Sequence, residues 1–124
     1  MLVRHIQTDS VIRMRKALAA VVLLFSLTAQ AKAPPFTQEQ LHEFCEQYTY
    51  TVYQNVSAAK ERGMPREQVK AQARKELPAG VDSAPAEAMV DAIYDRDSAA
   101  FLLSVARLTK ECMDYNNRNA AEKI

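Results

Sequence analysis

From Leu41 onward the apolar residues recur at a spacing near 3.6. Leu41, Phe44, Cys45, Tyr48, Val52, Val56 and Ala59 fall on one stripe, which predicts an amphipathic helix. Thr37 stands ahead of it as a cap with Gln40 three residues on as its reciprocal partner, and Phe36 and Leu41 are spaced as a hydrophobic staple. Gly63 stops this helix and Pro65 follows. A thinner stripe, Val69, Ala73 and Leu77, predicts a second helix opening on Pro65 and ended by Pro78 and Gly80. A third, capped by Asp82 or Ser83 and tolerating Pro85 in its first turn, buries Ala86, Met89, Val90, Ile93 and Tyr94. The fourth starts near Asp97 or Ser98 and turns Phe101, Leu102, Val105, Leu108, Cys112 and Tyr115 inward. Asn116 to Ile124 reads as a frayed tail.

No internal repeat and no useful strand-like alternation competes with this reading. The fold class is therefore all-α, a small four-helix bundle over residues 37–115. Up-and-down order sets helix one antiparallel to helix four. Cys45 lies near the start of the first and Cys112 near the end of the last, so antiparallel packing brings both to one end of the bundle, each on an apolar stripe. A disulfide closing first helix to last is expected, with two free buried thiols as the alternative. Neither cysteine has a Cys or His partner at metal-ligand spacing.

The front of the chain differs in kind. Arg13, Arg15 and Lys16 precede the apolar run Ala17 to Leu27, and Ala29 and Ala31 follow at the spacing a signal peptidase accepts, the three regions of a secretory signal peptide. The run is about half of the roughly 20 residues a membrane span needs. Cleavage is expected after Ala31, with residues 32–36 an extended lead-in, and Met14 begins an ordinary leader without the 13 residues before it. An exported chain with an even cysteine count favours the disulfide reading, and the compartment expected is the periplasm, with no stable membrane insertion once the leader is removed.

Charge narrows the function classes. The 124 residues carry 16 Lys and Arg against 15 Asp and Glu. Loss of Arg4, Arg13, Arg15, Lys16 and Asp9 with the leader leaves 12 against 14, a net of −2, which argues against a nucleic-acid partner. Catalytic chemistry finds little to work with. The mature chain holds one histidine, His42, a turn from Glu46, a spacing that suits a surface ion pair. Ser57, Ser83, Ser98 and Ser104 lack a nucleophile-elbow context. Glu87, Asp91 and Asp95 run at i, i+4 without the central glycine of a calcium loop, and read as a solvated face. No cofactor or metal is expected, and no enzymatic activity.

Binding is the remaining class. Within FCEQYTYTVY, residues 44–53, Tyr48 shares the apolar stripe, Tyr50 points about 160° away among acidic residues, and Tyr53 lies on the flank. Tyr50 with Glu43 and Glu46 makes one candidate contact surface. The stacked cations Arg66, Lys70 and Arg74 make another, as a solubilising face able to meet an acidic partner. Leu103, on the polar side of helix four, is a lesser candidate.

The order of a leader, a cysteine early in helix one, AAKERGMPREQV at the first helix end, EAMVDAIYDR, and a last helix closing at KECM resembles small uncharacterised exported proteins of Gram-negative bacteria and their phages. The most specific piece is MVDAIYD, residues 89–95, followed 17 residues later by Cys112. The resemblance implies a helical periplasmic domain with one disulfide. In size and design the chain is also similar to the periplasmic immunity proteins of type VI secretion effectors and to acid-activated periplasmic chaperones, without their local motifs. The function expected is a small periplasmic interaction protein of inhibitor or immunity type with a protein partner. The alternative is an acid-stress chaperone whose carboxylates are neutralised at low pH, loosening the bundle.

Overall fold

The computed structural model describes Phe25 and residues 37–122. Apart from Phe25, the expected leader, the lead-in with its staple residue Phe36, and the last two residues lie outside the described residues. Among the described residues four helices follow in order: α1 Gln38–Glu61, α2 Arg66–Glu76, α3 Ala84–Asp95 and α4 Ser98–Glu122.

Each helix end has a local cause. The Gln40 amide donates to Thr37 Oγ1 at 3.1 Å and the Thr37 amide to Gln40 Oε1 at 3.0 Å, closing the expected capping box. At the other end of α1, Gly63 adopts φ +81°, so its amide reaches the Lys60 carbonyl and that of Met64 reaches Ala59. That bond pair is a Schellman stop, which needs a left-handed residue. Between α3 and α4 the same job falls to Arg96 at φ 56°, and Asp97 then caps α4 by accepting the Ala100 amide at 3.1 Å. Two residues thus suffice to reverse the chain. At the start of α3, Asp82 Oδ1 accepts the Ala84 amide at 2.9 Å, while the Ser83 hydroxyl donates to Glu87 instead.

Helices α1 and α4 run antiparallel, as a ladder of contacts shows. Gln38 meets Asn117, Cys45 meets Cys112, Thr49 meets Thr109, and Tyr53 meets Phe101, so one number rises as the other falls. The Cys45–Cys112 disulfide forms with a Cα–Cα distance of 5.6 Å. The broadest helix contacts are α3 with α4 and α1 with α4, and α2 rests chiefly on α3. Leu41, Cys45, Val52, Val56, Val69, Ala73, Met89, Val90, Leu108 and Cys112 make the core.

One expectation is corrected, and two further observations bear on others. Leu102 is 68% exposed, because the burial of Leu108 and Cys112 fixes the rotation of α4. Counting back from Leu108 at about 100° per residue puts Ser104 and Phe101 near the buried line and Leu102 about 120° away. Ser104 is buried instead, its hydroxyl donating to the Phe101 carbonyl at 2.7 Å. Second, α4 continues through Glu122 where a frayed tail was expected. Asn116 donates to the Cys112 carbonyl, and Asn117 accepts from Gln38, tying that stretch to its own helix and to α1. Third, Phe25 sits fully buried among the core residues, although it belongs to the apolar run assigned to the leader.

Candidate functional site

Between α1 and α4, on the side away from α2, lies an open groove of about 700 Å³. From α1 it takes His42, Glu46, Thr49, Tyr50 and Tyr53, and from α4 Phe101, Leu102, Val105, Ala106 and Thr109. The two sets recur at helical spacing because the antiparallel pair presents one edge of each helix to the same side.

The aromatic row explains its shape. Tyr53 contacts Tyr50 on one side, ring centres 6.2 Å apart, and Phe101 of α4 on the other, 5.2 Å apart, both within the range of favourable ring pairing. Three rings thus bridge the two helices, with Leu102 standing clear at the rim. Deeper in the same seam the Thr49 and Thr109 hydroxyls share a hydrogen bond of 3.0 Å, and Thr49 donates to the Cys45 carbonyl at 2.9 Å. If Thr49 donates to that carbonyl, Thr109 supplies the proton of the bridge between them. His42 Nδ1 and Glu46 Oε1, 2.8 Å apart, close one end of the groove, and Glu43 is exposed on the outer face of α1 beside them.

Of the four exposed large apolar side chains among the described residues, three line this groove: Tyr50, Tyr53 and Leu102. The fourth, Leu103, lies about 100° round α4 from Leu102 and is not part of it. Scattered exposed leucines carry no message, whereas a cluster lining a concave seam is the kind of surface that another molecule covers.

The second candidate surface is already engaged. Arg66 pairs with Asp95 and with Asp91, Lys70 with Asp91 at 3.0 Å, and Arg74 with Glu87. The cationic stripe of α2 and the acidic stripe of α3 are therefore one zipper. Hydrogen bonds to Asp95 and Asp91, respectively, are the largest influence holding Arg66 and Lys70 above their ordinary pKa values. Tyr94 stiffens the end of this zipper. Its hydroxyl donates to the Met64 carbonyl at 2.6 Å, and Lys60 and Arg66 lie 5.8 and 5.7 Å from its ring centre, within cation–π reach.

Tyr48 faces the other way from Tyr50. It is buried, and its hydroxyl donates to the Phe25 carbonyl at 3.2 Å. Burial first, then the nearby Glu76 charge, pushes its pKa well above the ordinary phenol value.

Among the described residues no group of three or more His, Cys, Asp or Glu is placed to hold a metal ion, and no helix is long and apolar enough to cross a membrane. No protein-family model, curated protein or solved structure matches the chain. Sequence reasoning found Tyr50 and Glu46 but missed the α4 half of the groove. The adjacent apolar pair Leu102 and Leu103 was the available signal, since two neighbours 100° apart cannot both lie on one narrow buried stripe.

Proposed function

We propose that this chain is an exported periplasmic protein that works by binding a protein partner, and that the α1–α4 groove receives an amphipathic helix of that partner. The observation that carries this reading is that three of the four exposed large apolar residues among the described residues line one concave seam between two antiparallel helices. Helix-in-groove recognition uses such a seam, with apolar anchors at i, i+3 or i+4, and i+7. Tyr50 and Leu102 are the rim anchors, and Phe101, Tyr53 and Val105 form the floor. Glu43 and Glu46 on the α1 side favour a helix with basic residues along that edge.

A disulfide between the first and last helices fits an oxidising compartment, which supports export and the reading of residues 1–31 as a removable leader. An immunity or inhibitor role fits a small, rigid, disulfide-closed binder, because a surface already held in its bound shape loses little entropy on association.

One observation favours the alternative of an acid-stress chaperone. The polar face of α2 is held to α3 by ion pairs through Glu87, Asp91 and Asp95, and neutralising those carboxylates removes that attraction and loosens α2, leaving Val69 and Ala73 as its hold on the core. An apolar fluorescent dye separates the two. A groove binder keeps its dye response flat as the pH falls to the carboxylate range, and a chaperone gains dye binding and suppresses aggregation there.

The direct test is affinity capture from periplasmic extract with the oxidised wild type and with Leu102→Asp and Tyr50→Ala. A single stoichiometric partner that is held by the wild type and lost from Leu102→Asp is expected. A partner held equally by all three, or by none, contradicts the assignment of the groove.

A further inference from the structure

The core contains a residue that, on the reading of residues 1–31 as a removable leader, the mature protein lacks. Phe25 is fully buried, and both of its main-chain polar groups are engaged by helix side chains. Its amide donates to Glu76 Oε2 at 3.2 Å, and its carbonyl accepts from the Tyr48 hydroxyl at 3.2 Å. Glu76 closes α2 and Tyr48 sits mid-way along α1. Of the helix pairs in contact, α1 and α2 touch least, so Phe25 occupies a place where the bundle's own helices do not close on each other.

We propose that this slot is a peptide-recognition pocket of the leader-free protein, taking one aromatic side chain of a partner segment together with that residue's amide and carbonyl. The inference rests on the leader reading given above. An acceptor on α2 and a donor on α1 match the one N–H and one C=O that every non-proline residue offers, while the buried volume selects a ring. Recognition of this kind is indifferent to the flanking side chains. A short segment with an accessible Phe in a protein partner, held at the opposite side of α1 from the groove, is the occupant. In the uncleaved chain Phe25 fills the slot from within, so the leader acts as an internal competitor and its removal opens the pocket.

The test uses the whole chain in two natural forms, unprocessed and as recovered from the cell envelope, with acetyl-Leu-Phe-Ser-amide as the probe, the sequence of residues 24–26. Calorimetry and amide chemical shifts read the binding. The processed form is expected to bind saturably and the unprocessed form at least roughly tenfold more weakly. Phe25→Ala in the unprocessed chain restores binding, and Tyr48→Phe in the processed form weakens it roughly tenfold, as loss of one buried hydrogen bond does. Should Phe25→Ala fail to fold, the comparison of the two natural forms decides alone. No saturable binding by the processed form, equal binding by both forms, or envelope protein that retains Phe25 overturns the proposal. The groove is judged separately, by partner capture with Leu102→Asp and Tyr50→Ala.

Discussion

Replacing both Cys45 and Cys112 by alanine removes the link between first and last helices without introducing bulk or charge into the core. The two residues are 67 apart in sequence, and cutting a loop of that length returns about 4 kcal/mol of conformational freedom to the unfolded chain. A domain of this size has on the order of 5–10 kcal/mol in total, so the variant keeps roughly half its stability or less. The thermal midpoint is expected to drop by roughly 15–30 °C. Urea unfolding followed by far-ultraviolet circular dichroism makes the comparison, with oxidised wild type, reduced wild type and the double variant side by side. The reduced protein and the variant should coincide at a lower midpoint, with a steeper dependence on urea than the oxidised protein, because an unlinked chain exposes more surface on unfolding. A midpoint difference equivalent to less than about 1 kcal/mol, or a wild type indifferent to reductant, refutes the argument that the bridge restrains the unfolded chain.

Four further outcomes are expected. In the chain that retains Phe25, Tyr48 has a folded pKa raised above its unfolded value of about 10, so its contribution is fully present below that pH and is lost as the pH climbs above it; unfolding curves of the unprocessed chain from pH 8 to 11.5 should show this decline, and Tyr48→Phe should flatten it. Asp91→Asn removes the partner of Lys70 and one partner of Arg66, lowering the thermal midpoint by an amount that shrinks as salt is raised, whereas a loss unaffected by salt would mean packing and not charge. Thr109→Val removes one partner of the Thr49 hydroxyl, which still reaches the Cys45 carbonyl, and should cost about 1 kcal/mol; Thr49→Val strips Thr109 of its Thr49 partner and should cost more, by chemical denaturation. Arg96→Gly relieves a left-handed backbone that side chains resist and should stabilise the protein by about 1 kcal/mol in the same assay.

Most of the architecture was legible because several local signals agreed. Thr37 with Gln40, Gly63 before Pro65, and the stripe from Leu41 to Ala59 each pointed to the same α1, and the placement of Cys45 and Cys112 on two such stripes led to the correct bridge. On helix four Phe101, Val105, Leu108, Cys112 and Tyr115 were placed inward correctly and Leu102 was not. Apolar character alone favours Leu102 over Ser104, but Cys112 and Leu108 must face the core, and that rotation carries Ser104 inward. Hydropathy does not report the geometry of a cross-link. The same limit hid the zipper, since the charges of α2 and α3 each resemble a solvated face until the packing sets Arg66, Lys70 and Arg74 opposite Asp95, Asp91 and Glu87. The groove was half visible through Tyr50 and Glu46, and its other half depended on how α4 was turned. Phe25 in the core was illegible, because an apolar run ahead of a cleavage signal reads as a leader and carries no periodicity that would pair it with α1 and α2.

Photo-crosslinking in the periplasm tests the central claim most directly, with a photoreactive residue placed in turn at Leu102, at Tyr50 and, as a control on the far side of the bundle, at Lys75. The account predicts that Leu102 and Tyr50 capture the same protein, that the attachment points in it recur at three- and four-residue spacing along one helix, and that Lys75 captures nothing comparable. Equal capture from Lys75, or attachment points with no helical spacing, would contradict it.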